Sequence, residues 1–106
     1  MRRFSAVFLF ISLAFTAKVA LAESEQLKTL LQRNNCSACH MIDKRKYGPT
    51  LKEVAAKYAG DTTAVDKLAA KIKAGGTGVW GEDIMPPQSI SKADARTVAE
   101  LILALE

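Results

Sequence analysis

The sequence predicts an all-α domain built from about four short helices. Apolar residues recur at helical spacing in four segments, and capping or stop signals bound most of them. After residue 22 there is no run of alternating apolar and polar residues of the kind that forms a strand. With 106 residues, 49% of them hydrophobic, the chain is long enough for one domain and too short for two cores.

The first 22 residues differ in composition from the rest. Two arginines precede an apolar run from Phe4 to Phe15, and the segment ends in the small residues Ala20-Leu21-Ala22. This is the layout of a secretory signal peptide. The run is shorter than the roughly 20 residues that cross a bilayer, and Lys18 interrupts its continuation. We therefore predict a signal peptide at 1–22, cleavage after Ala22, and a periplasmic mature domain at 23–106 without stable membrane insertion.

The mature domain is expected to be small and close to neutral. Cleavage removes Arg2, Arg3 and Lys18 but no acid, so the net charge falls from +4 to +1. No basic stripe interleaved with aromatic residues follows, which argues against nucleic-acid binding. A domain of this size buries only about 60 to 65% of its unfolded surface, and its two cysteines are too close in sequence for a stabilising disulfide. A cofactor is therefore expected to complete the core.

The first three predicted helices lie before residue 75. The first runs from about Ser24 to Asn34, where Asn34-Asn35 is a plausible left-handed stop. The second begins near Pro49-Thr50, because proline suits a first turn, and ends at Gly60. The third begins after Asp61-Thr62 and ends before Gly75-Gly76. The residues predicted to face inward are Leu27, Leu30, Leu31, Leu51, Val54, Ala55, Tyr58, Val65, Leu68, Ala69 and Ile72.

The fourth helix has the clearest start signal in the sequence. Ser91 and Asp94 are spaced as a capping box, and the helix is predicted to run to the C-terminus. Its inward residues are Ala95, Val98, Ala99, Ile102 and Leu105. Between the third and fourth helices, Gly75 to Ile90 contains four glycines and two prolines and is predicted to be irregular. A long irregular loop in so small a domain is usually functional.

The motif Cys36-Ser37-Ala38-Cys39-His40 is the C-x-x-C-H signature of c-type haem attachment. Two intervening residues let both sulfurs reach one porphyrin from a single helical turn, and the next residue, His40, is then held beneath the iron. A structural zinc site would need four ligands, and this motif supplies three. A thioredoxin-like dithiol would need a βαβ setting, whereas the surroundings are predicted to be helical. One covalent haem c is therefore the predicted cofactor.

The sixth iron ligand can be predicted by elimination. His40 is the only histidine, so two histidines from one chain cannot bind the iron. Met1 is removed with the signal peptide. Met41 is next to His40 and is therefore expected on the same side of the haem as His40, not on the opposite side. Met85 lies in the irregular loop, where Pro86-Pro87 would stiffen the backbone that presents its thioether. Met85 is therefore the predicted ligand. Two alternatives remain: Met85 could simply pack in the core, as most methionines do, or a deprotonated lysine could bind the iron instead.

Taken together, these motifs resemble a small bacterial soluble class I cytochrome c. The resemblance covers residues 23–106 and follows four landmarks in the family's order. They are Cys36-x-x-Cys39-His40, Tyr47-Gly48-Pro49, Gly78-Val79-Trp80-Gly81 and Met85-Pro86-Pro87. The resemblance implies a compact fold of about four helices around one covalent haem, with His/Met axial ligation.

The resemblance also implies two further haem contacts. Pro49 stands where the family uses a proline carbonyl to accept the hydrogen bond of the proximal histidine, although it also suits a helix start. Trp80 matches a tryptophan whose indole N–H reaches a haem propionate, the alternative being a half-buried core aromatic. The chain departs from the family at Glu82-Asp83-Ile84, where prolines are frequent, and at Gln88, where asparagine is common.

The predicted function is transfer of single electrons rather than enzymatic catalysis. With both axial positions filled by protein, the iron has no open site for a substrate. The resemblance implies a monomer whose donor is a quinol-oxidising complex and whose acceptor is a nitrite reductase or a terminal oxidase. Lys44-Arg45-Lys46 could steer an acidic partner or form a solvated loop. Two other classes remain open: a haem sensor or peroxidase whose Met85 bond opens, and a haem-free thiol protein.

Overall fold

The computed structural model describes the backbone of residues 8–106 and the side chains of residues 18–106. Four α-helices follow one another along the chain, and a 3-10 turn separates the first two. They are α1 (Phe8–Arg33), the turn Cys36–Ala38, α2 (Leu51–Lys57), α3 (Ala64–Ala74) and α4 (Lys92–Leu103). Over the described backbone the only β pairing is an isolated antiparallel bridge between Gly76 and Met85. The all-α prediction is confirmed.

Helix α1 is longer than the predicted first helix. It continues through the predicted cleavage site, because no glycine or proline interrupts Phe8–Arg33. Side chains 18–26 are exposed, and burial begins at Leu27. The predicted stop is confirmed: Asn35 is left-handed, with φ 61°. The basic start of the predicted signal peptide falls in 1–7, outside the described residues.

Among the described helices, none has both the length and the apolar character needed to span a membrane.

Helix α2 has a start signal that the sequence analysis missed. Thr50 and Glu53 form a complete capping box, in which each side chain accepts a hydrogen bond from the other residue's backbone N–H. At the start of α4, Ser91 accepts from the Asp94 N–H at 3.0 Å. The Asp94 carboxylate instead accepts from Arg33 at 2.6 Å. The predicted capping box at α4 is therefore only half formed, because the Asp94 carboxylate forms an ion pair with Arg33 of α1.

Helix α4 is the centre of the fold and packs against α1, α2 and α3. Its inward residues Ala95, Val98 and Ala99 are at most 1% exposed. The α4 helix ends at Leu103 and does not reach the C-terminus of the chain as predicted. The remainder of the buried apolar cluster is formed by Leu27, Leu30, Leu31, Leu51, Val54, Leu68, Ile72, Ile90 and Ile102. The predicted inward residues Tyr58, Val65, Ala69 and Leu105 lie at its edge and are partly buried.

Candidate functional site

The cysteine motif forms a tight turn directly after α1. The N–H groups of Cys39 and His40 both donate to the carbonyl of Cys36, at 3.1 and 3.0 Å. Cys36 is half-buried and Cys39 is exposed, and both thiols are free. Burial raises the pKa of the Cys36 thiol, although a backbone hydrogen bond acts in the opposite direction. Both cysteines line the same cavity, as two attachment points for one ligand require.

Three backbone hydrogen bonds join the segment that carries His40 to the start of α2. Gly48 N–H donates to the Cys39 carbonyl at 2.9 Å. Leu51 N–H donates to the Met41 carbonyl at 2.9 Å, and Lys52 N–H donates to the Ile42 carbonyl at 3.1 Å. Because these bonds lie on both sides of His40, they fix its backbone against Pro49.

The His40 ring lies within hydrogen-bond distance of the Pro49 backbone. His40 Nδ1 lies 2.9 Å from the Pro49 carbonyl oxygen. A carbonyl can only accept, so Nδ1 carries a proton, and in the neutral ring Nε2 then has a free lone pair. Neutral imidazole in this tautomer is a metal ligand, and such a hydrogen bond fixes the orientation of the ring.

Gly48 gives the His40 ring its space, and the sequence analysis did not identify this role. A Cβ at position 48 would overlap the imidazole, lying 2.7 Å from Nδ1. Only glycine allows the backbone so close to the ring. Gly48 belongs to the Tyr47-Gly48-Pro49 landmark, but nothing in the sequence indicates that it contacts His40.

Met85 is held by a backbone pairing across the irregular loop. Its N–H donates to the Gly76 carbonyl at 2.9 Å, and the Gly76 N–H donates to the Met85 carbonyl at 2.8 Å. Gly75, with φ 66°, packs so closely against Met85 and Pro86 that a Cβ would overlap their backbone. Met85 is half-buried and lines the cavity. The Gln88 amide donates to the Pro86 carbonyl at 2.7 Å.

Trp80 sits near the tip of the same loop and also lines the cavity. The turn that carries it is closed by a hydrogen bond from Gly78 N–H to the Gly81 carbonyl at 3.0 Å. Arg45 donates to the Trp80 carbonyl at 3.0 Å. The Lys57 ammonium lies 5.2 Å from the centre of the indole ring. Two cations from separate segments therefore flank Trp80.

All six predicted site residues line one cavity of about 400 Å³: Cys36, Cys39, His40, Pro49, Trp80 and Met85. Its inner walls are apolar side chains from all four helices, including Leu31, Leu51, Leu68 and Val98. Two thiols can form thioether bonds to a cofactor, and an imidazole nitrogen and a methionine thioether are ligands of haem iron in proteins. The residues present therefore fit a large apolar cofactor that contains iron and is bound through sulfur.

Comparisons with known proteins agree with this chemistry. The sequence profile described as Cytochrome c matches residues 24–106. Cytochrome c-551 of Azotobacter vinelandii is 53% identical over 74 residues, covering 70% of this chain and 90% of that protein. Cytochrome c-552 of Hydrogenobacter thermophilus is 41% identical over 99 residues, covering 93% and 97%.

Solved structures show the same relationship. The crystal structure of wild-type Nitrosomonas europaea cytochrome c552 superposes with a TM-score of 0.73 at 48% identity, over 74% of this chain and 99% of that one. The class 1 cytochrome MtoD of Sideroxydans lithotrophicus gives 0.63 at 30% identity, over 77% and 95%. The chain therefore belongs to the cytochrome c family, as a small class I cytochrome c that transfers electrons on one covalent haem c.

Proposed function

We propose that this cytochrome c is a periplasmic carrier of single electrons whose haem iron is bound by His40 and Met85. The observation that carries the proposal is the hydrogen bond from His40 Nδ1 to the Pro49 carbonyl at 2.9 Å. It leaves Nε2 as the donor on a cavity that Met85 also lines. When bound, the haem supplies a single iron centre that gains and loses one electron.

The chain offers few rivals to Met85. Met41 is 42% exposed and is absent from the cavity lining. Lys71 does line the cavity, but an ammonium group must lose its proton before it can donate to a metal. A thioether is neutral at every pH and needs no such step. Met85 is also held by paired backbone bonds to Gly76, which limits its movement away from the cavity.

The remaining site residues have separate roles in this proposal. Cys36 and Cys39 would form the thioether bonds to the haem, Pro49 would orient His40, and the Trp80 indole N–H would donate to a propionate. The apolar walls exclude water and disfavour additional positive charge, which favours the reduced state. With His40 and Met85 both bound to the iron, no coordination position would be left for a substrate, and we assign no enzymatic activity.

Export to the periplasm is proposed from residues 1–22. The exposed side chains at 18–26 contribute nothing to the apolar core, which begins at Leu27. Removal of residues 18–22 would therefore leave the described apolar core unchanged, and we propose that the whole segment before Glu23 is removed. We propose that the mature protein is a monomer.

The proposed partners are larger redox proteins: a quinol-oxidising complex as donor, and a nitrite reductase or terminal oxidase as acceptor. Three exposed apolar side chains, Tyr47, Val79 and Ile84, belong to residues that line the cavity. A small contact of this kind suits a short-lived complex. The adjacent cations Lys44-Arg45-Lys46 would speed encounter with an acidic partner.

The near-infrared sulfur-to-iron band tests this ligand set. The oxidised protein should show the band, and Met85→Ala should abolish it and lower the reduction potential while the haem stays covalently attached. Met41→Ala is the matched control and should retain the band. If Met85→Ala keeps both the band and the wild-type potential, another group binds the iron. Rapid carbon monoxide binding by the wild type would indicate a sensor or peroxidase, and absence of a Soret band would indicate a haem-free thiol protein.

A further inference from the structure

One peptide group connects His40 to the capping box of α2. The Pro49 carbonyl oxygen of this group accepts from His40 Nδ1 at 2.9 Å. The N–H of the same group belongs to Thr50 and donates to Glu53 Oε2 at 2.8 Å. A carboxylate and an imidazole therefore lie at opposite ends of one planar, polarisable amide.

We infer that Glu53 is a positioning residue that tunes His40 through the Pro49–Thr50 peptide group. A hydrogen bond to a carboxylate polarises the amide and places more negative charge on its oxygen. The Pro49 oxygen then accepts more strongly from Nδ1, and the His40 ring becomes a stronger electron donor through Nε2. A stronger donor favours ferric iron and lowers the reduction potential. The inference rests on the proposed role of His40 as an axial ligand.

The geometry keeps this chain of hydrogen bonds in place. Thr50 is only 8% exposed, and its hydroxyl accepts from the Glu53 N–H at 3.0 Å. This second arm of the capping box holds Glu53 at the third position of α2. The Pro49 ring fixes its own φ angle. The carboxylate and the amide are therefore held together by the start of the helix.

The Glu53 residue is otherwise exposed to solvent. Its direct electrostatic field at the site is therefore screened by water and salt. The hydrogen-bonded route differs, because it runs through a buried residue that solvent reaches poorly. Salt should suppress an effect of the direct field and leave an effect transmitted through the peptide.

Glu53→Gln separates charge from structure. Glutamine keeps an amide oxygen that can accept from Thr50 N–H, and it is accepted at this position of a capping box. It removes only the negative charge. Asp94→Asn is the matched control, because Asp94 holds the equivalent third position of α4. Asp43→Asn removes a charge close in sequence to His40 that no hydrogen bond connects to the Pro49–Thr50 peptide.

The experiment uses the holoprotein and two measurements, the reduction potential and the proton NMR shift of the His40 Nδ1–H. Glu53→Gln should raise the potential and move the Nδ1–H resonance upfield, because its hydrogen bond weakens. Both changes should persist at about 1 M salt, where the screening length is about 3 Å. Asp94→Asn and Asp43→Asn should leave the Nδ1–H resonance at its wild-type position.

Two results would overturn the inference. One is an unchanged Nδ1–H resonance in Glu53→Gln. The other is a potential shift that salt abolishes, which would assign the effect to the direct field of the charge. Failure of the proposed function can be told apart from failure of this inference, because the wild-type protein itself would then lack the Soret band or the sulfur-to-iron band.

Discussion

The imidazole of His40 packs directly on the backbone of Gly48, where an added Cβ would lie 2.7 Å from Nδ1 and 3.0 Å from Nε2. The ring therefore has one position, set by Gly48 on one side and by the Pro49 carbonyl on the other. Histidine orientation in this protein depends on a glycine eight residues away in sequence.

Gly48→Ala should displace the His40 ring and weaken its hydrogen bond to Pro49. Forcing a methyl group into such a contact costs about 1–3 kcal/mol. Denaturant unfolding of the holoprotein should show this loss, and the visible spectrum should change with it. Gly60→Ala is the control: its positive φ of 80° is strained by any side chain, but no atom lies within 4 Å. It should cost about 1–2 kcal/mol and leave the haem spectrum unchanged.

Gly75→Ala should disturb Met85. The new Cβ would overlap the Met85 carbonyl and the Pro86 backbone, so the loop must shift away from the cavity. We expect a weaker sulfur-to-iron band and faster binding of carbon monoxide. Gly78→Ala has a comparable backbone penalty, with φ 94°, and meets no atom within 4 Å. An unchanged band in Gly75→Ala would show that the Gly76–Met85 pairing does not hold the methionine.

Acid should weaken the turn between α2 and α3 through Asp61. Hydrogen bonds from Thr63, followed by the contact with Lys67, lower the pKa of the Asp61 carboxyl from 3.8 to about 2. Because the folded state holds the carboxylate more strongly than the unfolded state, the stabilisation is complete above about pH 4. It is lost as the pH falls through 2.

The measurement is the free energy of unfolding between pH 5 and pH 2, compared with Asp61→Asn. The wild type should be the more stable of the two at pH 5, and the difference should shrink toward pH 2. Lys28 and Glu25 form an exposed ion pair on α1. Glu25→Gln is therefore a control that should show little difference at any pH. A constant difference between wild type and Asp61→Asn would contradict the assignment.

Export should remove residues 1–22. The small residues Ala20-Leu21-Ala22 follow a short apolar core, which is the pattern that signal peptidase recognises. N-terminal sequencing of the secreted protein should begin Glu23-Ser24-Glu25. Ala22→Pro should block processing and retain the precursor. A wild-type protein that keeps Met1, or that fractionates with membranes, would contradict both cleavage and the periplasmic assignment.

The sequence by itself determined the features that depend on neighbours along the chain. Apolar spacing located the four helices, glycines and Asn35 marked their ends, and Cys36 to His40 specified the cofactor. These signals are local: a helical face repeats every three or four residues, and the haem motif occupies one turn. The helix ends were less well defined, because the first helix continues upstream where no residue stops it.

Only the tertiary structure decided which distant residues support the site. The pairing of Gly76 with Met85, the packing of Gly48 on His40, and the peptide group shared by Glu53 and His40 join segments eight or more residues apart. A capping box can be read from Thr50 and Glu53, but its connection to His40 exists only once the chain folds back at Pro49. Tertiary packing also decided the partner of the Asp94 carboxylate. It does not complete the predicted capping box with Ser91, because Arg33 on α1 supplies a charge-assisted hydrogen bond.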